Sequence, residues 1–283
     1  MPIVSKEIRI NSKVKIGGSM PLFLIGGPCV IESYEHALFM AREIKKICEE
    51  LHVPFIFKAS YDKANRSSLN SYRGPGLEKG LEILSSIRKE LRVPVLSDVH
   101  ETNQVERAAQ VLDVIQIPAF LCRQTDLILE AAKTKKVLNL KKGQFLSPFE
   151  MKNAVDKVLS QDNENIILTE RGTFFGYNNL VFDVRSIPIM KSWGFPVVID
   201  ASHIVQRPGG QGTFSGGEAE FIPYMAKAGV SVGADGIFLE IHDNPSQALS
   251  DKSNSLIINK LNEVLATSLR IKKAIEGDSI PVS

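Results

Sequence analysis

The sequence predicts an α/β fold, a (β/α)8 TIM barrel preceded by an N-terminal β-hairpin. Eight short apolar runs rich in β-branched residues recur along the chain, and each precedes a turn and a helical or irregular segment. A length of 283 residues suits one barrel, because such barrels reach about 250 residues as a single domain. A doubly wound open sheet is the alternative that the same alternation allows.

The N-terminal segment has the pattern of a hairpin. Residues 3–16 alternate apolar and polar side chains on both sides of Asn11 and Ser12, which favour a tight turn. We assign residues 1–18 to this hairpin. We expect it to plug or flank the N-terminal end of the barrel.

The eight predicted strands follow in order, with amphipathic helices between most of them. The strands are residues 22–26, 55–59, 93–98, 114–117, 137–141, 166–170, 197–200 and 237–241. The helices are residues 34–51, 77–91, 103–112, 151–159, 219–228 and 256–275. The segments 126–134 and 184–193 are less regular.

Nothing in the sequence marks a second domain, since it contains no internal repeat, low-complexity linker or shift in composition. A hydrophobic content of 43% is enough for one large core. We therefore expect residues 1–283 to form a single domain, with the barrel at 20–275 and a loose tail at 276–283.

Charge and cysteine content exclude several classes of protein. Lysine and arginine number 34 against 32 aspartate and glutamate, so no overall field attracts nucleic acid or a membrane. No apolar run approaches the roughly 18 residues of a membrane helix, and the N-terminus carries charges where a signal peptide is apolar. The three cysteines are widely spaced, which does not suit a disulfide framework. We expect a cytoplasmic protein with reduced thiols.

The segment 57–76, directly after the second predicted strand, has the composition of an anion site. It combines four cations with hydroxyls and a Gly-Pro-Gly end that lets backbone N–H groups approach a ligand. The cations are Lys58, Lys63, Arg66 and Arg73, and the hydroxyls include Ser60, Ser67 and Ser68. A solvated basic loop is the alternative. We favour a phosphorylated substrate.

Cations recur at the C-terminal ends of other predicted strands, where barrel enzymes have their active sites. The converging set is Lys58, Lys63, Arg66, Arg123, Lys141 and Arg171. Burying six unpaired cations is prohibitive, so we infer two phosphates, or a phosphate and a carboxylate. Structural ion pairs with Glu170, Asp98 and Asp126 are the alternative explanation.

The first, seventh and eighth strands are neighbours in a closed barrel, and they end near a different group of side chains. Cys29, His203, Glu240 and Asp251 form a possible site for Zn²⁺, Fe²⁺ or Mn²⁺. The convergence of these residues depends on the barrel. Taken singly they are equally compatible with a buried cysteine, a hydrogen-bonded histidine and a surface aspartate. His100 and His242, near strand ends, are candidates for orienting carboxylates.

Several long motifs resemble those of the 3-deoxy-D-manno-octulosonate 8-phosphate synthase family, over nearly the whole chain. They are residues 63–68 (Lys-Ala-Asn-Arg-Ser-Ser), 71–76 (Ser-Tyr-Arg-Gly-Pro-Gly), 97–100, 116–126 and 141–145. The resemblance implies condensation of phosphoenolpyruvate with D-arabinose 5-phosphate and water, with release of phosphate, in Kdo and lipopolysaccharide biosynthesis. It also implies a homotetramer.

The related 3-deoxy-D-arabino-heptulosonate 7-phosphate synthases share the barrel and the Gly-Pro-Cys turn. Their loop typically reads Lys-Pro-Arg-Thr, whereas this chain has Asn65-Arg66-Ser67 after Lys63-Ala64, which favours the octulosonate enzyme. A barrel of this kind could also serve as a metal-dependent aldolase or as a non-catalytic sugar-phosphate sensor, since fold alone does not determine function.

The resemblance also assigns roles to residues. Phosphoenolpyruvate would be bound by Lys58, Lys63, Lys141, Gln144, Arg171 and His203. Arabinose 5-phosphate would be bound by Lys63, Asn65, Arg66, Ser67 and Phe120, with Arg123 supplied by the facing subunit. The residues expected to take part in catalysis are Lys63, Lys141, His203 and Asp251.

Family members with Cys at the position of Cys29 use a divalent metal, whereas members with Asn there work without one. The resemblance therefore implies a Zn, Fe, Mn or Co ion held by Cys29, His203, Glu240 and Asp251. The loop at 250–254 reads Ser-Asp-Lys-Ser-Asn, where metal-free relatives usually have Cys-Asp-Gly. We interpret this difference as consistent with the metal-dependent class.

Overall fold

The computed structural model describes residues 3–66, 68–209 and 216–277, and it contains the predicted closed barrel. The strands are β1 (Ile8–Arg9), β2 (Lys15–Ile16), β3 (Phe23–Gly27), β4 (Phe55–Lys58), β5 (Val95–Asp98), β6 (Val114–Ile117), β7 (Val137–Lys141), β8 (Ile166–Glu170), β9 (Thr173–Phe174), β10 (Leu180–Val181), β11 (Val197–Asp200), β12 (Gln206–Arg207), β13 (Gly216–Gly217), β14 (Gly236–His242) and β15 (Leu256–Ile257). The prediction of a (β/α)8 barrel is confirmed.

Eight of these strands close the barrel through parallel pairing. Their order around the ring is β3, β4, β5, β6, β7, β8, β11 and β14. Strand β14 closes the ring because it pairs with both of its neighbours: Ile237 lies opposite Leu24 of β3 and opposite Ile199 of β11. The alternative of an open sheet is therefore wrong.

Eight α-helices cover the outside of the barrel. They are α1 (Tyr34–Glu50), α2 (Leu77–Leu91), α3 (Thr102–Val111), α4 (Thr125–Lys133), α5 (Met151–Leu159), α6 (Ser186–Lys191), α7 (Ile222–Ser231) and α8 (Leu261–Gly277). The two segments that are irregular in sequence, 126–134 and 184–193, thus contain α4 and α6. Among the described residues no helix is long and apolar enough to cross a membrane.

Two predicted helices begin later than expected, for different reasons. Residues 219–221 form a 3₁₀ turn before α7, and Pro223 lies in the first turn of α7, where a missing N–H is tolerated. Residues 256–257 form β15, because they pair with Ile241 and His242 at the end of β14. Tertiary pairing therefore overrides the helical pattern there.

The N-terminal hairpin closes one end of the barrel. Strands β1 and β2 are antiparallel, with Ile8 opposite Ile16. The Asn11 side chain accepts hydrogen bonds from the N–H groups of Lys13 (2.9 Å) and Val14 (2.8 Å), which forms the turn. Three isoleucines of the hairpin, Ile8, Ile10 and Ile16, pack against residues inside the barrel, and Ile8 and Ile16 are 1% and 0% exposed. Burial of each contributes about 1.5–3 kcal/mol.

The predicted tail at 276–283 is only partly described. Helix α8 includes residues 276 and 277, and residues 278–283 lie outside the described part of the chain.

The interior of the barrel is apolar at the hairpin end and polar at the opposite end. An apolar group near the hairpin includes Phe23, Ile56 and Val114. The opposite, C-terminal ends of the strands bury polar side chains instead, including Lys58, Asp98, Gln116, Asn139, Lys141, Asp200 and Glu240. Buried polar groups are costly unless they are paired or bind a ligand, so the functional site is expected at this end.

Candidate active site

A cavity of about 660 Å³ opens at the C-terminal end of the barrel. The predicted site residues that line it are Lys58, Lys63, Asn65, Arg66, Phe120, Lys141, Gln144, Arg171, His203, Glu240 and Asp251. Cys29 is buried and contacts Asp251 directly. Ser67 lies outside the described residues.

Arg171 offers free donors to this cavity. The residue follows β8 directly and is 4% exposed. Its Nη2 donates to Gln206 Oε1 at 2.8 Å, whereas Nε and Nη1 are buried without a partner in the described part of the chain. Burial lowers the pKa of Arg171, although Asp200 and Glu170 oppose that shift. A buried guanidinium with unused donors favours an anionic ligand.

Lys141, Asp200 and His203 form a connected buried group beside Arg171. Lys141 Nζ lies 2.6 Å from Asp200 Oδ2, and His203 Nδ1 lies 2.7 Å from the same oxygen. Because an ionised carboxylate only accepts hydrogen bonds, this contact favours the tautomer of His203 that carries its proton on Nδ1. Burial opposes ionisation of Asp200, but His203 and Lys141 hold its pKa below its usual value.

The other ring nitrogen of His203 is therefore available as an acceptor or ligand. Burial lowers the pKa of His203 despite the neighbouring Asp200 carboxylate. Nε2 lies 3.6 Å from Glu240 Oε1 and 3.7 Å from Asp251 Oδ2. A histidine held by a carboxylate on one nitrogen and directed at acidic groups with the other is the usual arrangement of a metal ligand.

Lys58 is occupied by protein groups. Its Nζ donates to Glu240 Oε1 at 2.8 Å and to the backbone oxygen of Cys29 at 3.0 Å, and both charged side chains are almost fully buried. The Phe238 ring lies beneath both Lys58 and Lys141, with its centroid 5.5 Å and 4.1 Å from the two ammonium groups. Lys58 therefore positions Glu240.

Cys29, Glu240 and Asp251 present possible metal ligand atoms within 4.8 Å of one another. The Cys29 thiol donates to Asp251 Oδ2 at 2.8 Å and lies 2.9 Å from Ser250 Oγ. Glu240 Oε2 is buried and has no partner among the described residues, which leaves one carboxylate oxygen for a ligand. With His203, this set of sulfur, nitrogen and oxygen donors fits a transition metal.

The Cys29 thiol and the Asp251 carboxylate differ in their protonation. Burial, together with the neighbouring Asp251 carboxylate, raises the pKa of the Cys29 thiol to about 12. Asp251 stays ionised, because His203 and Lys63 outweigh the effect of burial and hold its pKa at about 2. A metal ion would have to displace the thiol proton.

Lys63 and Arg66 line the cavity from the loop after β4. The loop is held by backbone bonds, with Lys63 N donating to Arg73 O at 2.7 Å. Arg66 Nε donates to Tyr72 O at 3.2 Å, and its Nη2 is buried without a partner in residues 3–66, 68–209 and 216–277. Arg73 instead forms a two-bond ion pair with Asp62 at the surface, so it does not contribute to the cavity.

Comparison with known proteins identifies the family. A family model described as the DAHP synthetase I family matches residues 5–276. The chain belongs to that family.

Curated relatives narrow the assignment. The chain is similar to a protein of Trichlorobacter lovleyi, with 58% identity over 262 residues, 93% of this chain and 96% of the relative. A protein of Pelobacter propionicus is 54% identical over 273 residues, 96% of this chain and all of the relative. Both are named 2-dehydro-3-deoxyphosphooctonate aldolase, which is another name for the octulosonate synthase. The resemblance found in the sequence is therefore confirmed.

Arg123 lies away from the cavity of this family member. It is exposed, and it borders a separate cavity of about 110 Å³ with Cys122, Glu150 and Lys157. Its backbone oxygen accepts a hydrogen bond from Lys157 Nζ at 3.0 Å. Within one chain, five of the six predicted cations therefore line the same cavity, and Arg123 lies outside it.

A second group of possible metal ligands, Glu32, His36 and His242, does not line the cavity. His242 Nδ1 accepts from Asn244 N at 2.9 Å, and its Nε2 lies 3.3 Å from Glu32 Oε1. Glu32 Oε1 also accepts from Leu249 N at 2.8 Å. Protein groups thus use both ring nitrogens of His242, and we interpret this group as a structural link between β14 and the Asp251 loop.

Sequence reasoning missed three buried or half-buried residues beside the cavity: Gln206, Asn139 and Lys142. Gln206 bridges Arg171 and Asp251, and it lies in a loop beyond the seventh barrel strand, where no periodic pattern marks it. Asn139 and Lys142 lie within or just after β7. The unusual polar residue inside the apolar run of β7 is the one signal that points to Asn139.

Proposed function

We propose that the chain condenses phosphoenolpyruvate with D-arabinose 5-phosphate and water to give 3-deoxy-D-manno-octulosonate 8-phosphate and inorganic phosphate, in Kdo biosynthesis. The observation that carries this proposal is the identity of 54–58% with enzymes named 2-dehydro-3-deoxyphosphooctonate aldolase, over more than 90% of the chain. The charged cavity supports it, because two phosphorylated substrates need two groups of cations.

Phosphoenolpyruvate is proposed to bind on the buried side of the cavity, between Lys141, Arg171 and Gln144. The Nε and Nη1 of Arg171, which have no partner among the described residues, support this placement. Asp200 holds Lys141 and His203 in fixed positions, so these donors are oriented before the substrate arrives. Lys58 would act on this substrate indirectly, through Glu240.

Arabinose 5-phosphate is proposed to bind nearer the entrance, against Lys63, Asn65, Arg66, Ser67 and Phe120. The Nη2 of Arg66, for which the described residues offer no partner, supports phosphate binding there. Although burial disfavours its charge, Lys63 has a raised pKa because Cys29, Asp98, Glu240 and Asp251 surround it. The ammonium group therefore stays protonated and is placed to contact both substrates.

In the proposed reaction, C3 of phosphoenolpyruvate attacks the aldehyde carbon and a new C–C bond forms. The aldehyde oxygen gains negative charge, which Lys63 neutralises, and C2 gains positive charge. Water adds to C2 and loses a proton, giving a hemiketal phosphate. The new C2 hydroxyl then loses its proton as the bond between C2 and the phosphate oxygen breaks, which leaves the C2 ketone and inorganic phosphate. Arg171 and Lys141 stabilise the departing phosphate. Asp251, Glu240 and His203 are the candidates for accepting the proton from water.

A divalent metal is proposed at Cys29, His203, Glu240 and Asp251. When bound, it would supply Lewis-acid chemistry to the aldehyde oxygen or to the water. Removal of metal with dipicolinate should abolish turnover, and Mn²⁺, Fe²⁺, Co²⁺ or Zn²⁺ should restore it. Full activity of metal-depleted protein with an intact Cys29 would remove the metal from the mechanism.

The substrate assignment is tested by phosphate release. Purified protein with phosphoenolpyruvate should release phosphate when arabinose 5-phosphate is added. Release with erythrose 4-phosphate alone would instead favour the heptulosonate enzyme. Product formation without phosphate release would favour a simple aldolase. Binding of both ligands without turnover would indicate a sensor.

A homotetramer is proposed, in which Arg123 completes the sugar-phosphate site of a facing subunit. Its exposure away from its own cavity supports this role, as do the exposed rings of Phe120 (50%), close to it in sequence, and Phe149 (67%), which precedes Glu150 of the small cavity beside Arg123. Inactive Arg123→Ala and Lys63→Ala chains should regain activity when they are co-assembled. A monomer in solution, or no complementation in mixed oligomers, would contradict this arrangement.

We also propose a cytoplasmic location, which three buried free thiols support.

A further inference from the structure

Gln206 connects the two halves of the cavity. It is the first residue of β12 and is half-buried. Its Oε1 accepts from Arg171 Nη2 at 2.8 Å, and its Nε2 donates to Asp251 Oδ1 at 3.1 Å. One amide therefore touches both the proposed phosphoenolpyruvate site and the proposed metal site.

The direction of these two hydrogen bonds follows from the partners. Guanidinium groups only donate hydrogen bonds and ionised carboxylates only accept them, so the amide oxygen must face Arg171 and the amide nitrogen must face Asp251. Rotation of the amide by half a turn would break both bonds. Gln206 thus holds its two charged neighbours in one relative arrangement.

At Asp251, Gln206 binds one carboxylate oxygen and leaves the other facing the proposed metal ligands. Oδ2 faces the Cys29 thiol at 2.8 Å and His203 Nε2 at 3.7 Å, so it faces the proposed metal ligands. Oδ1 is occupied by the amide of Gln206. Groups that hold a ligating carboxylate in this way commonly change metal affinity about 10–100-fold when they are removed.

At Arg171, Gln206 uses one nitrogen and leaves the others for substrate. With Nη2 bound to the amide, Nε and Nη1 are the donors without a partner among the described residues. A phosphate or carboxylate that binds these donors must find the guanidinium in this orientation. The amide therefore sets the position of an anion-binding group as well as that of a metal ligand.

We propose that Gln206 is a positioning residue that couples metal binding to phosphoenolpyruvate binding. This inference deepens the proposed function and uses the same site. Anion binding at Arg171 fixes the guanidinium and, through the amide, fixes Asp251, so each ligand binds more tightly when the other is present. Such coupling is reciprocal: the factor by which phosphoenolpyruvate strengthens metal binding must equal the factor by which metal strengthens phosphoenolpyruvate binding.

The test compares wild type with Gln206→Met, which keeps side-chain volume and removes both hydrogen bonds. Metal-depleted protein is titrated calorimetrically with Mn²⁺, with and without phosphoenolpyruvate, and the reverse titration is also made. We expect Gln206→Met to weaken Mn²⁺ binding about 10-fold in the absence of phosphoenolpyruvate. The factor by which phosphoenolpyruvate strengthens Mn²⁺ binding should fall by a similar amount. The remaining strengthening is the part that comes from charge attraction between the two ligands. Gln110→Met, an exposed position on α3, is the matched control.

The metal titration without phosphoenolpyruvate separates this inference from the proposed function. A chain that bound Mn²⁺ but no phosphoenolpyruvate would contradict the proposed reaction. The change in Mn²⁺ affinity caused by Gln206→Met would still show whether Gln206 positions the metal ligand Asp251. Thermal unfolding shows whether the variant is folded, and Gln206→Leu provides a second variant of different shape. Mn²⁺ affinity and coupling equal to wild type in the folded variants would overturn the role of Gln206.

A spectroscopic measurement adds a readout that a purely structural role would not change. Co²⁺ bound to Cys29 should give thiolate charge-transfer absorption, and phosphoenolpyruvate should shift that absorption in wild type through Asp251. In Gln206→Met the Co²⁺ band should remain, but its shift with phosphoenolpyruvate should shrink. An unchanged shift would contradict the proposal.

Discussion

Asp98 is a buried carboxylate that receives a chain of hydrogen bonds from neighbouring strands. Ser60 Oγ and Gln116 Nε2 donate to it at 3.0 Å, Asn139 donates to Gln116 at 2.8 Å, and Thr169 donates to Asn139 at 2.6 Å. Although burial opposes ionisation, Lys63 and the nearby His100, whose Nε2 lies 3.7 Å from Asp98 Oδ2, hold the pKa of Asp98 well below its usual value. The folded protein therefore favours the ionised carboxylate.

This carboxylate makes stability depend on pH. A folded-state pKa below the unfolded value of about 3.9 contributes stability that is present above that pH and is lost on acidification. We expect Asp98→Asn to destabilise the protein by about 3–5 kcal/mol at pH 7, because Lys63 and the donors lose their partner. The difference from wild type should shrink as the pH falls below about 4. Urea unfolding measures it, and a difference that stayed constant with pH would contradict the assignment.

Cys29 is expected to dominate metal affinity because it is the one sulfur donor of its group. Cys29→Ser should weaken metal binding by at least about 100-fold, which exceeds the usual effect of removing a ligand's hydrogen-bond partner. Metal content after purification without chelator measures the loss. Cys48→Ala removes a buried thiol from α1 and should leave the metal content unchanged. Equal metal content in the Cys29→Ser protein would remove Cys29 from the metal site.

At the scale of elements, Lys142 joins two loops that carry cavity residues. The side chain is fully buried, and its Nζ donates to the backbone oxygens of Leu146 and Gly172 at 3.2 Å and to Thr173 Oγ1 at 2.9 Å. These partners lie in the loops after β7 and β8. Gln144 and Arg171 lie in the same loops, so Lys142 holds two proposed phosphoenolpyruvate ligands in place without lining the cavity.

Lys142→Met should therefore affect both stability and substrate binding. Its loss leaves the buried Glu170 carboxylate, which lies 3.5 Å from Lys142 Nζ, without its cation, and we expect a destabilisation of about 3–5 kcal/mol. The KM for phosphoenolpyruvate should rise more than the KM for arabinose 5-phosphate. Steady-state kinetics below the unfolding temperature measure both constants. Lys133→Met, at an exposed position on α4, should change neither, and equal effects on the two KM values would argue against a local role for Lys142.

Elements with a strong local signal were predicted well, and those that depend on tertiary pairing were not. Strands such as β6 and β8 match their predicted bounds because each is a short run rich in β-branched residues that is buried on both faces. The start of α8 was predicted too early because β14 recruits residues 256–257 into β15. No local pattern in the sequence encodes that pairing.

The same distinction applies to the candidate site. Glu240 and His203 are visible in the sequence because they follow apolar strands, and strand ends meet in a barrel. Gln206 and Lys142 act through contacts with other loops, which only the folded chain brings together. The family motifs point to Arg123, whereas the folded chain places it beside a separate small cavity.

At the scale of the whole molecule, the barrel has an apolar end closed by the hairpin and a charged end that holds the cavity. Ile16 is fully buried among barrel residues that include Phe23 and Ile25. The hairpin therefore contributes to stability at the end opposite the chemistry.

Ile16→Ala should separate these two properties. Removal of the buried methyl groups should cost about 2–5 kcal/mol of unfolding free energy. At temperatures where the variant is folded, kcat and both KM values should match wild type, because the cavity lies at the far end. Lys13→Ala, an exposed change in the same hairpin, should leave stability unchanged. A loss of activity in folded Ile16→Ala would show that the two ends of the barrel are coupled.

Because the hairpin closes one end of the barrel, it also determines how ligands enter and leave. Because Ile8, Ile10 and Ile16 block one end, both substrates must enter and both products must leave through one opening. Arg171 and Lys141 lie deeper than Arg66, so phosphoenolpyruvate has to arrive before the sugar phosphate covers its site, and inorganic phosphate formed there should leave last. Phosphate should then inhibit competitively against phosphoenolpyruvate. Competition only with arabinose 5-phosphate would show the reverse order.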